Sequence, residues 1–231
     1  MNYLKKVFRP SPEAKSRIHD LQGCVAPPKR VAINLPRAIW SRLKWEVVKQ
    51  PPRQPWISYD AAARIKRFMR RRPCTVLEFG SGGSTLWFAT QAVELHSVEH
   101  NREWHARVQE LLAGASYSAK VAHELCETEE AYSTFRSDTD QAYDIILIDG
   151  IWRLPVARHH VDRLAPEGML YLDNSDANSS SDHVNEIPEL LAFLEDWSSR
   201  TGRTMEVYTD FSPTALHATQ GRMYFGSAAS V

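Results

Sequence analysis

Cysteine is scarce in this 231-residue chain, and long apolar runs are missing. The three cysteines, Cys24, Cys74 and Cys126, are odd in number and far apart. That fits neither a disulfide framework nor a zinc-ligand spacing, so they read as reduced thiols. No stretch approaches the roughly 20 apolar residues that a bilayer-spanning helix needs. The opening, MNYLKKVFRP, has basic residues with no apolar stretch behind them, which argues against a secretory leader. The expectation is a cytoplasmic protein. No internal repeat is visible, which argues against a repeat architecture.

Net charge is absent too, but only in the sum. Residues 1–72 carry 18 Lys/Arg against 4 Asp/Glu, whereas residues 73–231 carry 10 against 24. One reading is that the two parts attract and pack together, because RIKRFMRRR (64–72) has an apolar helical stripe to seat it. The other is that the basic part meets an anionic partner: phospholipid, nucleic acid or an acidic substrate.

The chain is long enough for one sizeable core behind an N-terminal extension. Residues 1–56 read as a basic, irregular arm with short helices, and 57–231 as the main domain. Ser11-Pro12-Glu13 resembles a helix start. PRAIWSRLKWEVVK places Ile39, Leu43 and Val47 on one helical face, and KQPPRQPW (49–56) is a linker that no regular element crosses.

From Ser58, a plausible helix cap, strands and helices alternate. Strands are expected at 74–79, 93–99, 119–125, 143–149 and 168–174. Helices are expected from about 84, over 102–113, over roughly 155–164 and around 184–200, with a shorter one after the third strand. Strands at 205–211 and 221–227 close the chain with no helix pattern between them, so they form an antiparallel edge pair. IILI (145–148) is apolar without alternation, as in a strand buried on both faces of a parallel sheet. The fold expected is α/β: a three-layer αβα sandwich with a mostly parallel seven-stranded sheet.

Glycine numbers only ten, and three fall within four positions in the stretch TVLEFGSGGSTLWFA (75–89). A strand, a glycine loop and a helix follow one another there. Gly80 and Gly82 let the backbone turn sharply and approach a ligand, and the helix start favours negative or polar groups. A nicotinamide site would read G-x-G-x-x-G, but Thr85 stands where the third glycine belongs. Glu78 precedes the loop and would repel a pyrophosphate, while favouring an ammonium or sulfonium group.

Glu78-Phe79-Gly80-Ser81-Gly82 resembles the first motif of class I S-adenosylmethionine-dependent methyltransferases. The resemblance spans about residues 58–227 and implies a Rossmann-like sheet of order 3-2-1-4-5-7-6. It implies a cofactor site at Glu78, Gly80, Ser81, Gly82, Ser84 and Thr85. Glu99, 19 positions after Gly80, matches the acid that holds the ribose hydroxyls, and His100 borders the adenine. The alternative for Glu99 is an ordinary carboxylate at a helix start. Cys126 and Glu127 fall where the family often places an adenine contact.

Asp149 ends the fourth strand, and Asp173-Asn174 end the fifth. Together they resemble the metal triad of catechol O-methyltransferase-like enzymes, with two carboxylates and an amide oxygen suited to Mg²⁺. The Lys that those enzymes carry three residues after the first Asp is Trp152 here, and the nearest base, Arg153, stays protonated. Without a divalent metal, Asp149 acts as general base or orients substrate, also beside the cofactor, and Asn174 binds substrate or closes the loop. The plainest alternative is that Asp-Asn is turn chemistry. Trp152 walls the substrate pocket in this reading. His159 or His160 faces the crevice or fills the core, and Trp87 and Phe88 pack helix on sheet.

The function expected is S-adenosylmethionine-dependent O-methylation of a small-molecule or sugar-like (glycan-like) acceptor. Two rivals stay open: a non-catalytic cofactor-binding module with a membrane- or nucleic-acid-binding arm, and an NAD-dependent oxidoreductase.

Overall fold

The computed structural model describes residues 15–48, 54–177 and 186–226. The proposed helix start at Ser11 and most of the proline linker lie outside them. The first described helix, α1 (Pro28–Val48), is longer than the sequence suggested and carries Pro36 inside it. An internal proline removes one helical hydrogen bond. Here docking holds the helix: Asn34 and Ala38 are buried, and Asn34 Nδ2 donates to both oxygens of Asp210 at 2.9 and 3.0 Å. Helix α2 (Tyr59–Met69) begins as expected, with Ser58 Oγ accepting from the Ala61 amide.

Beyond it run β1 (Thr75–Phe79), α3 (Gly83–Ala89), β2 (Glu94–Glu99), α4 (Arg102–Ala113), β3 (Lys120–Leu125) and α5 (Glu129–Ser133). Then come β4 (Tyr143–Ile148), α6 (Arg153–His160), a 3₁₀ turn (Val161–Arg163), β5 (Leu164–Leu172), α7 (Ile187–Arg200), β6 (Thr204–Asp210) and β7 (Thr219–Phe225). The sheet order is β3-β2-β1-β4-β5-β7-β6. The first five strands are parallel, and β7 is antiparallel to both β5 and β6. Several boundaries differ from expectation. Helix α6 stops at His160, and β5 starts four residues early, before Pro166, so that Leu164 pairs with Tyr143. Strands β4 and β5 end at Ile148 and Leu172, so Asp149, Asp173 and Asn174 follow their strands rather than end them.

Successive residues of a strand face opposite sides, and this divides the core in two. Val76, Leu95, Ile145 and Leu147 pack with Ile65, Phe68, Trp87, Phe88 and Val108 of α2–α4. Leu77, Phe79, Ile146 and Ile148 pack with Tyr132, Val156, Leu190 and Trp197 of α5–α7. The central strands are thus sealed on both faces.

The described arm is stitched to the far end of the sheet. The Ala218 amide donates to the Arg17 carbonyl at 2.8 Å, and the Leu21 amide to Asp176 Oδ2 at 2.9 Å. Buried Asp20 accepts from Thr209 Oγ1 and Gln220 Nε2. A small third core of Ala26, Ala38, Tyr59, Phe211 and Ala218 seals the junction. Some charge pairing also crosses from the basic part: Arg72 meets Asp144 at 2.8 Å and Glu167 at 2.9 Å. Among the described residues, no helix is long and apolar enough to cross a membrane.

Candidate active site

Parallel strands β2, β1 and β4 end side by side, and in such sheets ligands bind beyond the carboxyl ends. A cavity of about 710 Å³ opens there. It is lined by the loop Gly80–Ser84, by Glu99, His100 and Trp104 beyond β2, and by Asp149 and Arg153 beyond β4. Gly80 is required at its position. Its φ is +95°, and a Cβ would lie 2.8 Å from the Asp149 carbonyl carbon and the Gly150 nitrogen. The β1 loop and the β4 loop therefore touch backbone to backbone, which only glycine permits.

Glu99 holds the loop. Its Oε2 accepts from the Ser81 amide at 3.1 Å and the Ser81 hydroxyl at 3.2 Å. Its Oε1 accepts from the amides of His100 and Asn101 at 3.0 and 2.9 Å, with His100 Nδ1 a further 3.0 Å contact. The alternative role, capping the following helix, falls to Asn101, whose Oδ1 accepts from the Trp104 amide.

Glu78 lies beneath the loop and does not line the cavity. It is fully buried, and its Oε2 accepts from the hydroxyls of Thr85 and Ser97, both at 2.6 Å. Thr85 Oγ1 in turn accepts from the Gly82 amide at 2.8 Å. The residue in place of a third glycine thus ties loop to carboxylate. Glu78 Oε1 has no well-aligned partner, although the nearby Ser84 hydroxyl favours its charged form. Burial dominates and pushes the carboxyl up to about 7.

Asp149 keeps 23% of its side chain open, and Asp173 is buried. Their carboxyls lie close enough to influence each other's charge. Burial raises both, Asp149 to about 6, with Arg153 opposing the shift. Asp173 lies well above the ordinary carboxylate range, because burial is reinforced by the Asp149 charge. Two negative charges side by side in this buried corner oppose each other, while Arg153 favours the charged form of both. Tyr171 Oη donates to Asp173 Oδ1 at 3.0 Å.

Arg153 braces this corner. Its Nη1 donates to the Asp173 carbonyl at 2.6 Å and its Nε to the Gly150 carbonyl at 2.7 Å, while Nη2 lies 4.0 Å from Asp149 Oδ1. Asn174 does not join the pair. Its φ of +45° turns the chain, and it lines an adjoining cavity of about 330 Å³, on the other side of Gly150, Ile151 and Arg153, with Asp176, His217 and Ile187.

This geometry does not fit a divalent ion. Asp149 faces a guanidinium, one Asp173 oxygen is engaged by Tyr171, and Asn174 opens elsewhere. Among the described residues, no cluster of three or more His, Cys, Asp or Glu could hold a metal.

Other candidates resolve simply. His160 is buried against Phe79, with Nε2 2.9 Å from the Ser133 carbonyl, on the helix side of the core. Trp87 and Phe88 pack on the sheet. Trp152, at φ +50°, packs edge-on against Tyr132 and His100 rather than lining the cavity. Glu127 pairs with exposed Arg102, and the Cys126 amide donates to the Glu99 carbonyl. Sequence reasoning missed Trp104, whose indole Nε1 donates to the Ser81 carbonyl at 2.7 Å. It also missed Trp56, which lines the cavity and lies 6.2 Å from Trp104, centroid to centroid. The faint signal for Trp104 was its place three residues after the Asn101 cap.

No protein-family model matches the chain, and no curated protein matches it. Solved structures do match, and they show the Rossmann-like fold of class I methyltransferases. An O-methyltransferase from Bacillus cereus in complex with SAH aligns with TM-score 0.61 at 13% identity, covering 86% of this chain and 96% of that one. The O-methyltransferase TomG from Streptomyces achromogenes, involved in tomaymycin synthesis and in complex with SAM, aligns at 0.59 and 16%, covering 85% and 93%. A putative caffeoyl-CoA O-methyltransferase from Staphylococcus aureus aligns at 0.55 and 14%, covering 80% and 90%.

Proposed function

We propose that the protein is an S-adenosylmethionine-dependent methyltransferase that acts on a hydroxyl of a small-molecule acceptor. One observation carries the reading. A tight glycine turn, closed by Gly80 against β4, sits between a β2-end acid and a β4-end acid–arginine pair in one cavity. The likeness of fold to O-methyltransferases supports it.

The lining suits that cofactor. Glu99 and His100 would hold the ribose and adenine, and the Gly80–Ser84 loop would run along the methionine part. Arg107 and Arg153 offer charge for a carboxylate, and Glu103 and Asp149 for the ammonium and sulfonium. The cofactor would supply an electrophilic methyl group. The chain's own work is positioning and proton handling. Asp149 takes the proton released by the acceptor hydroxyl. Arg153 favours the ionised form of Asp149, and Asp173, held by Tyr171, packs beside it. No step requires a divalent ion.

Calorimetry with S-adenosylmethionine, S-adenosylhomocysteine and NAD tests the cofactor; binding of NAD alone would overturn the proposal. Transfer of labelled methyl into a metabolite extract then tests the activity. Asp149→Asn is expected to lower the transfer rate on the order of 100-fold or more, with S-adenosylhomocysteine affinity changed only a few-fold. Labelling by this variant at the wild-type rate would remove Asp149 from the chemistry. Rates unaffected by EDTA or added Mg²⁺ are expected throughout.

A further inference from the structure

Helix α1 buries Asn34 and Ala38 against the domain, but its other side is not the polar face that a surface helix usually presents. Ile33, Trp40 and Val47 are 50%, 61% and 76% exposed, and Val48 is exposed beside them. The first three are seven residues apart, so they recur along nearly one line on the outward face, two turns at a time. Large apolar side chains scattered singly on a surface are ordinary; three that recur in register along one line of a helix, with cations between them, form an amphipathic pattern of their own.

Charge decides what such a row meets. Residues 21–45 contain five Lys/Arg and no Asp or Glu. Lys29 and Lys44 are exposed on the same outward side, and Lys44 Nζ sits over the Trp40 ring at 5.3 Å. Glu46, the acid just before Val47, pairs with Arg42 at 2.6 Å. A second copy of this chain would set lysine against lysine across the row. A nucleic acid would want cations, not Ile, Trp and Val, along the centre line. An anionic bilayer surface satisfies both halves of the pattern: apolar side chains enter the acyl boundary, tryptophan sits at the headgroup level, and lysines meet lipid phosphate and carboxylate.

We propose that the outward face of α1 is a peripheral membrane-binding surface for anionic phospholipid, lying in the interface without crossing it. The wider basic stretch, residues 1–72 with 18 Lys/Arg against 4 Asp/Glu, reads in the same sense. This inference is independent of the methyltransferase reading.

The test is co-sedimentation of the full chain with phosphatidylcholine vesicles, with and without phosphatidylserine. Binding is expected only to the phosphatidylserine vesicles. The triple variant Ile33→Ser, Trp40→Ser, Val47→Ser should lose roughly ten-fold or more in partitioning, with an unchanged circular dichroism spectrum. Lys29→Glu with Lys44→Glu should lose a similar factor and flatten the salt dependence. Three outcomes would overturn the proposal. The wild type could ignore phosphatidylserine vesicles. The triple variant could bind them as well as the wild type does. Sedimentation velocity could show a wild-type dimer that the triple variant abolishes, making the stripe a self-interface. Binding to duplex DNA that the triple variant retains, without vesicle binding, would likewise assign the arm to nucleic acid.

Discussion

Glu78 and Glu99 are the same residue type, near the ends of neighbouring parallel strands, less than one helix turn from the same glycine loop. Their surroundings set them apart. Glu99 is met by the backbone N–H groups of Ser81, His100 and Asn101. Glu78 is met by the hydroxyls of Thr85 and Ser97, and one of its oxygens is left without a good partner. Amide donors are fixed in place by the fold, so they hold the Glu99 carboxylate in one orientation. The hydroxyls around Glu78 do not offset its desolvation, which is why burial wins there. A carboxylate at a strand end is thus not one kind of object. Glu99 is a clamp at the cavity wall, and Glu78 is a titratable brace beneath it.

The sharpest way to break this contrast is to remove the clamp. Glu99→Ala strands four buried or half-buried donors, at about 1–3 kcal/mol for each group left unsatisfied. The expected result is a fall in S-adenosylhomocysteine affinity of roughly 10- to 100-fold, read by calorimetry, with a lower Tm.

Glu78→Gln should behave differently. The amide oxygen still accepts from Thr85 and Ser97, so affinity should change only a few-fold. What should change is the pH profile of stability. The folded pKa of Glu78, about 7, lies above the unfolded value near 4.5. Between these values the folded state holds a proton that the unfolded chain has released. The stability cost is therefore absent below about pH 4.5 and grows as pH rises through about 7. Urea unfolding followed over that window should show a shallower decline for Glu78→Gln than for the wild type. An identical slope would mean that Glu78 is ionised throughout. Asp149, raised in the same direction, contributes to the remaining slope in both proteins.

Trp104→Phe is the smallest test. It keeps the ring and removes the donor to the Ser81 carbonyl. A loss of about 1 kcal/mol, roughly five-fold in S-adenosylhomocysteine affinity, is expected.

Much of this was readable in the chain because it depends on local order. The unbroken apolar run of β4, the glycine cluster after β1 and the alternation of strand and helix each announce themselves within a few residues. Glu99 and Asp149 were found because strand ends in a parallel sheet converge. What escaped the sequence depends on contacts across long separations. Pro36 argued for a helix beginning there, yet the bond from Asn34 to Asp210 lies 176 residues away and supports a helix already under way. Glu78 was read as facing a ligand, because nothing in the sequence showed that Ser97 and Thr85 would close over it. Asn174 left its neighbours because one residue at positive φ redirects a side chain without leaving a compositional trace.

The stitching of the arm to the last strands sets an order of events during synthesis. Arg17, Asp20 and Leu21 are made well before their partners Asp176, Thr209, Ala218 and Gln220. The five parallel strands can assemble while the arm still waits for its partners. The arm, made before the sheet, is fastened only after its last strands are made, and the nascent chain exposes the third small core until then.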